Sequence, residues 1–170
     1  WTGVALPLMA LAPALLVAAV VGLALLDHPL QAGGWWAWPL ALASCDAGVA
    51  LGCGAAGKMA LNGSGPAPDD DAFAASALRF ACDRGSGVAC LDEAVAWLAL
   101  KRPEEAAAAS LKGCDAGVLM ACSNYGYVID ELWEGHLDPT AARRIFVDTC
   151  DAGLVAGCRR AGVSLIEGRG

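Results

Sequence analysis

The chain has 170 residues, enough for one ordinary domain or for a short array of repeats plus an anchor. Its net charge of −7 argues against nucleic-acid binding, because neutralising phosphates takes clustered Lys and Arg. The closest basic groups are the pairs Lys101–Arg102, Arg143–Arg144 and Arg159–Arg160, which read as solvated helix faces and loop ends.

The 57% hydrophobic content is high for a soluble protein of this size, and the excess lies at one end: no charged residue precedes Asp27. Val4 to Leu26 is a run of 23 residues. As a helix it would rise roughly 35 Å, more than a hydrocarbon core of about 30 Å. Pro7 and Pro13 predict a kink or a late helix start, which membrane helices tolerate. The run is longer than the apolar core of a cleaved signal peptide, about 7–15 residues. Leu42-Ala43-Ser44-Cys45 resembles a lipidation site, but Cys45 has a better role below. Residues 1–27 are therefore expected to be an uncleaved transmembrane anchor, followed by a juxtamembrane linker at 28–33.

Ala10, Ala14, Ala18 and Gly22 fall four apart, a small-residue stripe along which other integral membrane subunits can pack closely. Trp35, Trp36 and Trp38 follow the anchor, where they suit an interfacial aromatic belt, packing of the first repeat, or contact with a partner. No Lys or Arg occurs before Lys58, so the following flank lacks the positive charge of a cytoplasmic side. A single-pass protein with a cytoplasmic N-terminus and an external remainder is expected.

The cysteines reveal an internal repeat. They form four pairs, Cys45/Cys53, Cys82/Cys90, Cys114/Cys122 and Cys150/Cys158, each with seven residues between. Asp46, Asp83, Asp115 and Asp151 follow the first cysteines, and Gly48, Gly85, Gly117 and Gly153 lie three residues beyond them. Eight residues before stand Ala37, Ala74, Ala106 and Ala142; four after the second cysteines stand Gly57, Ala94, Gly126 and Gly162. A helix runs into each first Cys, the Gly offers the left-handed conformation that ends it, and a second helix carries the second Cys. The alanines and the small residues after the second Cys are expected where the two helices of a hairpin cross closely. Asp69-Asp70-Asp71, Pro103 with Glu104 and Glu105, and Asp138-Pro139 signal helix starts.

An even, dense cysteine set belongs to an oxidising compartment. The expected bridges are Cys45–Cys53, Cys82–Cys90, Cys114–Cys122 and Cys150–Cys158, each worth about 2.5 kcal/mol through closure of a short loop. The spacing does not suit zinc, whose Cys pairs sit about two to four residues apart. Asp69–Asp71 read as a helix cap rather than a calcium site.

This pattern resembles the cysteine-rich Sel-one-like repeats, relatives of the tetratricopeptide repeats. The fourth unit carries it most fully: Ala142, Cys150-Asp151-Ala152-Gly153, Cys158, Gly162 and Gly168-Arg169-Gly170. The resemblance covers residues 34–170, in repeats about 34–65, 69–101, 103–136 and 138–170. Units two and three depart from the closing Gly-x-Gly, with Leu100-Lys101-Arg102-Pro103 and Trp133-Glu134-Gly135-His136 in its place. The resemblance implies an all-α solenoid of four disulfide-linked antiparallel helix pairs, used for protein–protein contact.

No catalytic, cofactor-binding or metal-ligating set is expected. The cysteines are committed to bridges, and Ser-x-x-Lys and Lys-Thr-Gly, which serine β-lactamases and penicillin-binding proteins use, are missing. The sequence is therefore read as a non-catalytic scaffold in a bacterial inner membrane with periplasmic repeats. Its helix meets other integral subunits and its repeats meet a protein partner, as an accessory subunit of a respiratory or photosynthetic complex. The alternative is a free-standing tethered module binding peptide or cell-wall ligands.

Overall fold

Alanine is the best helix former and adds little bulk, and it dominates this interior. In the computed structural model, which describes residues 36–64 and 66–170, 18 of the 26 buried apolar residues are alanine. Helices can therefore approach closely, but each buries little apolar area, so small units of this kind need staples. The expected anchor at 1–27, the linker at 28–33, the stripe Ala10, Ala14, Ala18 and Gly22, and Trp35 lie outside the described residues. No helix among the described residues is long and apolar enough to cross a membrane.

The described residues form eight α-helices and no strand. They are α1 (Ala37–Asp46), α2 (Ala50–Leu61), α3 (Asp71–Cys82), α4 (Gly87–Ala99), α5 (Pro103–Asp115), α6 (Leu119–Tyr127), α7 (Pro139–Asp151) and α8 (Val155–Ile166). A π-helical turn, Val128–Leu132, prolongs α6. Each helix packs on its sequence neighbours, and α2 also touches α4, α3 touches α5, α4 touches α6 and α6 touches α8, giving an α-solenoid of four hairpins.

The helix starts follow the signals in the sequence. Asp70 caps α3 by accepting from the Ala72 and Phe73 N–H groups, and Asp138 caps α7 by accepting from Ala141 N–H. Pro103 and Pro139 occupy the first turns of α5 and α7, where no N–H is needed.

All four bends are built alike. Gly48, Gly85, Gly117 and Gly153 take φ of +78°, +92°, +84° and +93°, and each donates its N–H to the carbonyl of the first Cys at 2.8 Å. The next residue (Val49, Ser86, Val118 or Leu154) donates to the carbonyl just before that Cys, completing the left-handed helix stop. Bridges join Cys45–Cys53, Cys82–Cys90, Cys114–Cys122 and Cys150–Cys158, with Cα atoms 4.3, 4.6, 4.5 and 4.4 Å apart.

One expectation is corrected. The close crossing inside each hairpin falls one residue before each cysteine, at Ser44/Gly52, Ala81/Ala89, Gly113/Ala121 and Thr149/Gly157, all buried. A β-carbon on Gly52 would collide with the Ser44 side chain, one on Gly157 with Thr149 Oγ1, and one on Gly113 would stand 2.7 Å from Ala121 Cβ. The bridge draws the helices so near that only small pairs fit. The small residues four after the second Cys serve the junctions between units instead: a β-carbon on Gly57 would lie 2.6 Å from Leu78 Cγ, and one on Gly126 2.7 Å from Phe146 Cε1.

Candidate functional site

Two surfaces of the stack carry features beyond packing. The first is an apolar edge beside the bends. Two residues before the second cysteine stand Leu51, Val88 and Met120, exposed by 45%, 56% and 40%. Equivalent positions in stacked units lie along one edge, so this is a row of large apolar side chains across the first three units; the fourth holds Ala156 there. Between the first two members runs a groove of about 490 Å³, lined by Ala50, Leu51, Gly54, Arg84 and Val88. The Arg84 guanidinium lies over the Phe80 ring, 3.3 Å from its centre, and donates to the Phe80 carbonyl at 3.2 Å. The row is rigid because each member sits two residues from a bridge.

The second is a polar cleft of about 190 Å³ between the third and fourth units, lined by Tyr127, Asp130, Glu131, Phe146, Arg160 and Arg169 among others. The π-helical turn shapes it. Trp133 N–H donates to Val128 O at 3.0 Å, five residues back, and Asp138 N–H fastens to Ile129 O at 2.7 Å. Val128, Ile129 and Asp130 are thereby buried in succession, at 0%, 5% and 6% exposure. Arg169 reaches in from beyond α8, its Nη1 at 2.9 Å from Asp130 Oδ2 and its Nη2 at 3.1 Å from Glu131 Oε1 and 2.7 Å from Glu167 Oε2. Loss of hydration pushes the Asp130 carboxyl above the usual aspartate range, against the pull of Arg169. Asp130 Oδ1 and Arg169 Nε are buried without a partner among the described residues.

Arg160, expected to be a solvated helix-face residue, is half-buried. Its guanidinium lies 4.1 Å from the Tyr127 ring centre and 5.8 Å from that of Phe146, and desolvation pulls its pKa down. The cleft thus joins a carboxylate with a free acceptor to a guanidinium set over the Tyr127 ring and near that of Phe146, a pairing suited to a small group that both donates and accepts.

The residues singled out from the sequence fall elsewhere. Trp36 and Trp38 are half-buried against Ala37, Ala41 and Met59, and Trp38 meets Phe73 edge-on with ring centres 5.6 Å apart. Both belong to the packing of the first units. His136 stacks on Trp133, ring centres 4.4 Å apart, and closes the third unit. The eight cysteines are all bridged. The cleft residues Tyr127, Asp130 and Arg160 were missed, although one signal was legible. Eight residues after the second cysteine the units hold Leu61, Leu98, Asp130 and Ile166, so a carboxylate interrupts an apolar column.

No family model matches the chain, and no curated protein does either.

Proposed function

We propose that the protein is a non-catalytic interaction scaffold of the Sel-one-like repeat type, tethered by a membrane helix at residues 1–27. In this reading it is an accessory subunit of a larger bacterial membrane complex, respiratory or photosynthetic, with its repeats on the periplasmic side. The observation that carries it is the row of Leu51, Val88 and Met120. Apolar side chains repeated on a covalently stiffened edge make a contact surface at low ordering cost, which favours a protein partner. The stripe Ala10, Ala14, Ala18 and Gly22 suits lateral packing against integral subunits.

Solubilising native membranes in mild detergent tests this reading. The protein should migrate with other integral subunits. Combined Leu51→Asp, Val88→Asp and Met120→Asp substitutions should weaken the contact of the repeats at least tenfold without disturbing the four bridges. A protein recovered solely as free monomer sinks the proposal.

The polar cleft favours a second reading, in which the protein stands alone in the envelope and its repeats bind a peptide or cell-wall fragment. That reading requires the repeats to capture a soluble muropeptide or peptide, with the signal lost in Asp130→Ala.

A further inference from the structure

The turn after α8, Glu167–Gly170, is fastened both to its own unit and to the one before. Arg169 N–H donates to Ser164 O at 2.9 Å, and Ser164 Oγ donates to Arg169 O at 2.7 Å. Gly168 and Gly170, at φ +67° and +81°, place left-handed backbone on either side of Arg169. A β-carbon on Gly170 would collide with the Pro139 carbonyl, so the turn lies against the start of α7 only because glycine stands there. From this seat the Arg169 guanidinium crosses the junction to Asp130 and Glu131 of the third unit.

The earlier junctions fill the same two columns differently. Eight residues after the second cysteine of one unit, and eleven after that of the next, the second junction holds Leu98 and Trp133. Both pack against the core of Ala106, Ala107 and Val128. The first junction holds Leu61 and an exposed Lys101. The third holds Asp130 and Arg169, an ion pair where the second has an apolar contact. Two of the carboxylates on Arg169, those of Glu131 and Glu167, are 38% and 52% exposed, where water and salt compete for the guanidinium. The Asp130 side chain is only 2% exposed. Its Oδ1 and Arg169 Nε stay buried without partners among the described residues. The seated turn therefore gains ion pairs that solvent can replace and forgoes hydrogen bonds that solvent would supply.

We propose that Glu167–Gly170 is a strap that opens and closes over Asp130 while the hairpins on either side stay folded. Closed, it forms one wall of the polar cleft and withholds Asp130 from solvent. Open, it hydrates Asp130 Oδ1 and Arg169 Nε and leaves Asp130 and Glu131 as an acidic pair facing the cleft. The strap depends on neither functional reading above, because its motion is read with no ligand present.

Carbodiimide labelling of carboxylates in the full-length chain, followed residue by residue by mass spectrometry, tests this. Glu93, 4% exposed at the middle junction, serves as the reporter of wholesale unfolding. In the wild type Asp130 should label more slowly than Glu131 and faster than Glu93. Salt at about 1 M should speed Asp130 severalfold relative to Glu93, since it screens the exposed pairs. Gly170→Ala, which alters none of the charged groups, should speed Asp130 by roughly tenfold or more and leave Glu93 unchanged, as a local opening does. Arg169→Gln should bring Asp130 near the rate of Glu131. The proposal is overturned if Asp130 and Glu93 label at one rate in every condition, for the junction would then open only by unfolding. It is overturned equally if either substitution leaves Asp130 as slow as in the wild type, or if wild-type Asp130 already labels as fast as Glu131.

Discussion

The bends and the junctions of this stack hold their helices together by different means. Every bend has the same backbone bonds, the same left-handed glycine and the same bridge, with Cα separations confined to 4.3–4.6 Å. The junctions share a register but not their contents: glycine against Leu78, alanine at the register of Ser110, glycine against Phe146. A covalent link makes the bend indifferent to neighbouring side chains as long as they are small. A junction depends on size matching, so its residues vary in pairs, and at the third one a π-helical turn and a buried carboxylate are tolerated. Surface chemistry is accordingly free to differ between units while the hairpin stays constant.

The contrast is broken most directly at the third junction. Phe146 is 1% exposed and fills the notch at Gly126, so Phe146→Ala should cost about 3–5 kcal/mol. In urea, monitored by circular dichroism with all bridges intact, the fourth hairpin should unfold separately from the rest. A loss below about 1 kcal/mol, the range of surface substitutions, would mean that the junction is not held by size matching.

Removing a bend's staple should cost less. Cys82→Ala with Cys90→Ala is expected to lower stability by about 2.5 kcal/mol, because the Gly85 helix stop and the small Ala81/Ala89 pair remain. The bridges should also differ in access to a water-soluble phosphine. Cys158 is exposed, whereas Cys82 and Cys90 are 4% and 2% exposed. Timed alkylation with mass spectrometry should find Cys150–Cys158 reduced first and Cys82–Cys90 last. Simultaneous reduction of all four would show that the hairpins open together rather than one by one.

The same division governed what was legible beforehand. Bends were readable because their determinants are local: a cysteine, a glycine three residues on and a second cysteine eight residues away form one pattern. The pairing, the left-handed glycines and the caps at Asp70 and Asp138 all follow from such neighbours. Junction partners lie farther apart, and Gly57 and Gly126 look the same in sequence whether they face their own hairpin or the next. Comparing columns across units resolves this only when the column before each cysteine is also read, since Ser44/Gly52 and Thr149/Gly157 already account for the hairpin crossing. The cleft was less legible still. Arg169 sits in a loop that the repeat pattern explains on its own, and the extra residue of the π-helical turn, which turns Asp130 inward, has no local signature.

The middle junction offers the finest comparison, because a charge is buried where two other units hold alanine. Three residues after the second cysteine the units carry Ala56, Glu93, Tyr125 and Ala161. Glu93 is 4% exposed and accepts from Trp97 Nε1 at 2.9 Å, while its other oxygen is buried without a partner among the described residues. Trp97 itself touches the cores on both sides of the junction. Desolvation raises the Glu93 carboxyl above its ordinary 4.5, opposed by the Trp97 bond and by attraction from Lys112 and Arg79. The folded chain therefore keeps this proton to a higher pH than the unfolded chain does. Its contribution to stability is full below the ordinary value and is lost as pH rises through the raised one. Glu93→Gln keeps an acceptor for Trp97 and removes the charge. It should stabilise the protein at pH 7 by about 1 kcal/mol and shrink the fall in stability between acid and neutral pH. Glu93→Ala, which copies the first and fourth units, should instead destabilise by about 1–3 kcal/mol by leaving the Trp97 N–H unpaired. Urea titrations of all three proteins at pH 5 and pH 7 decide the matter. If the wild type and Glu93→Gln lose the same stability over that interval, the buried carboxylate is not what sets this junction apart.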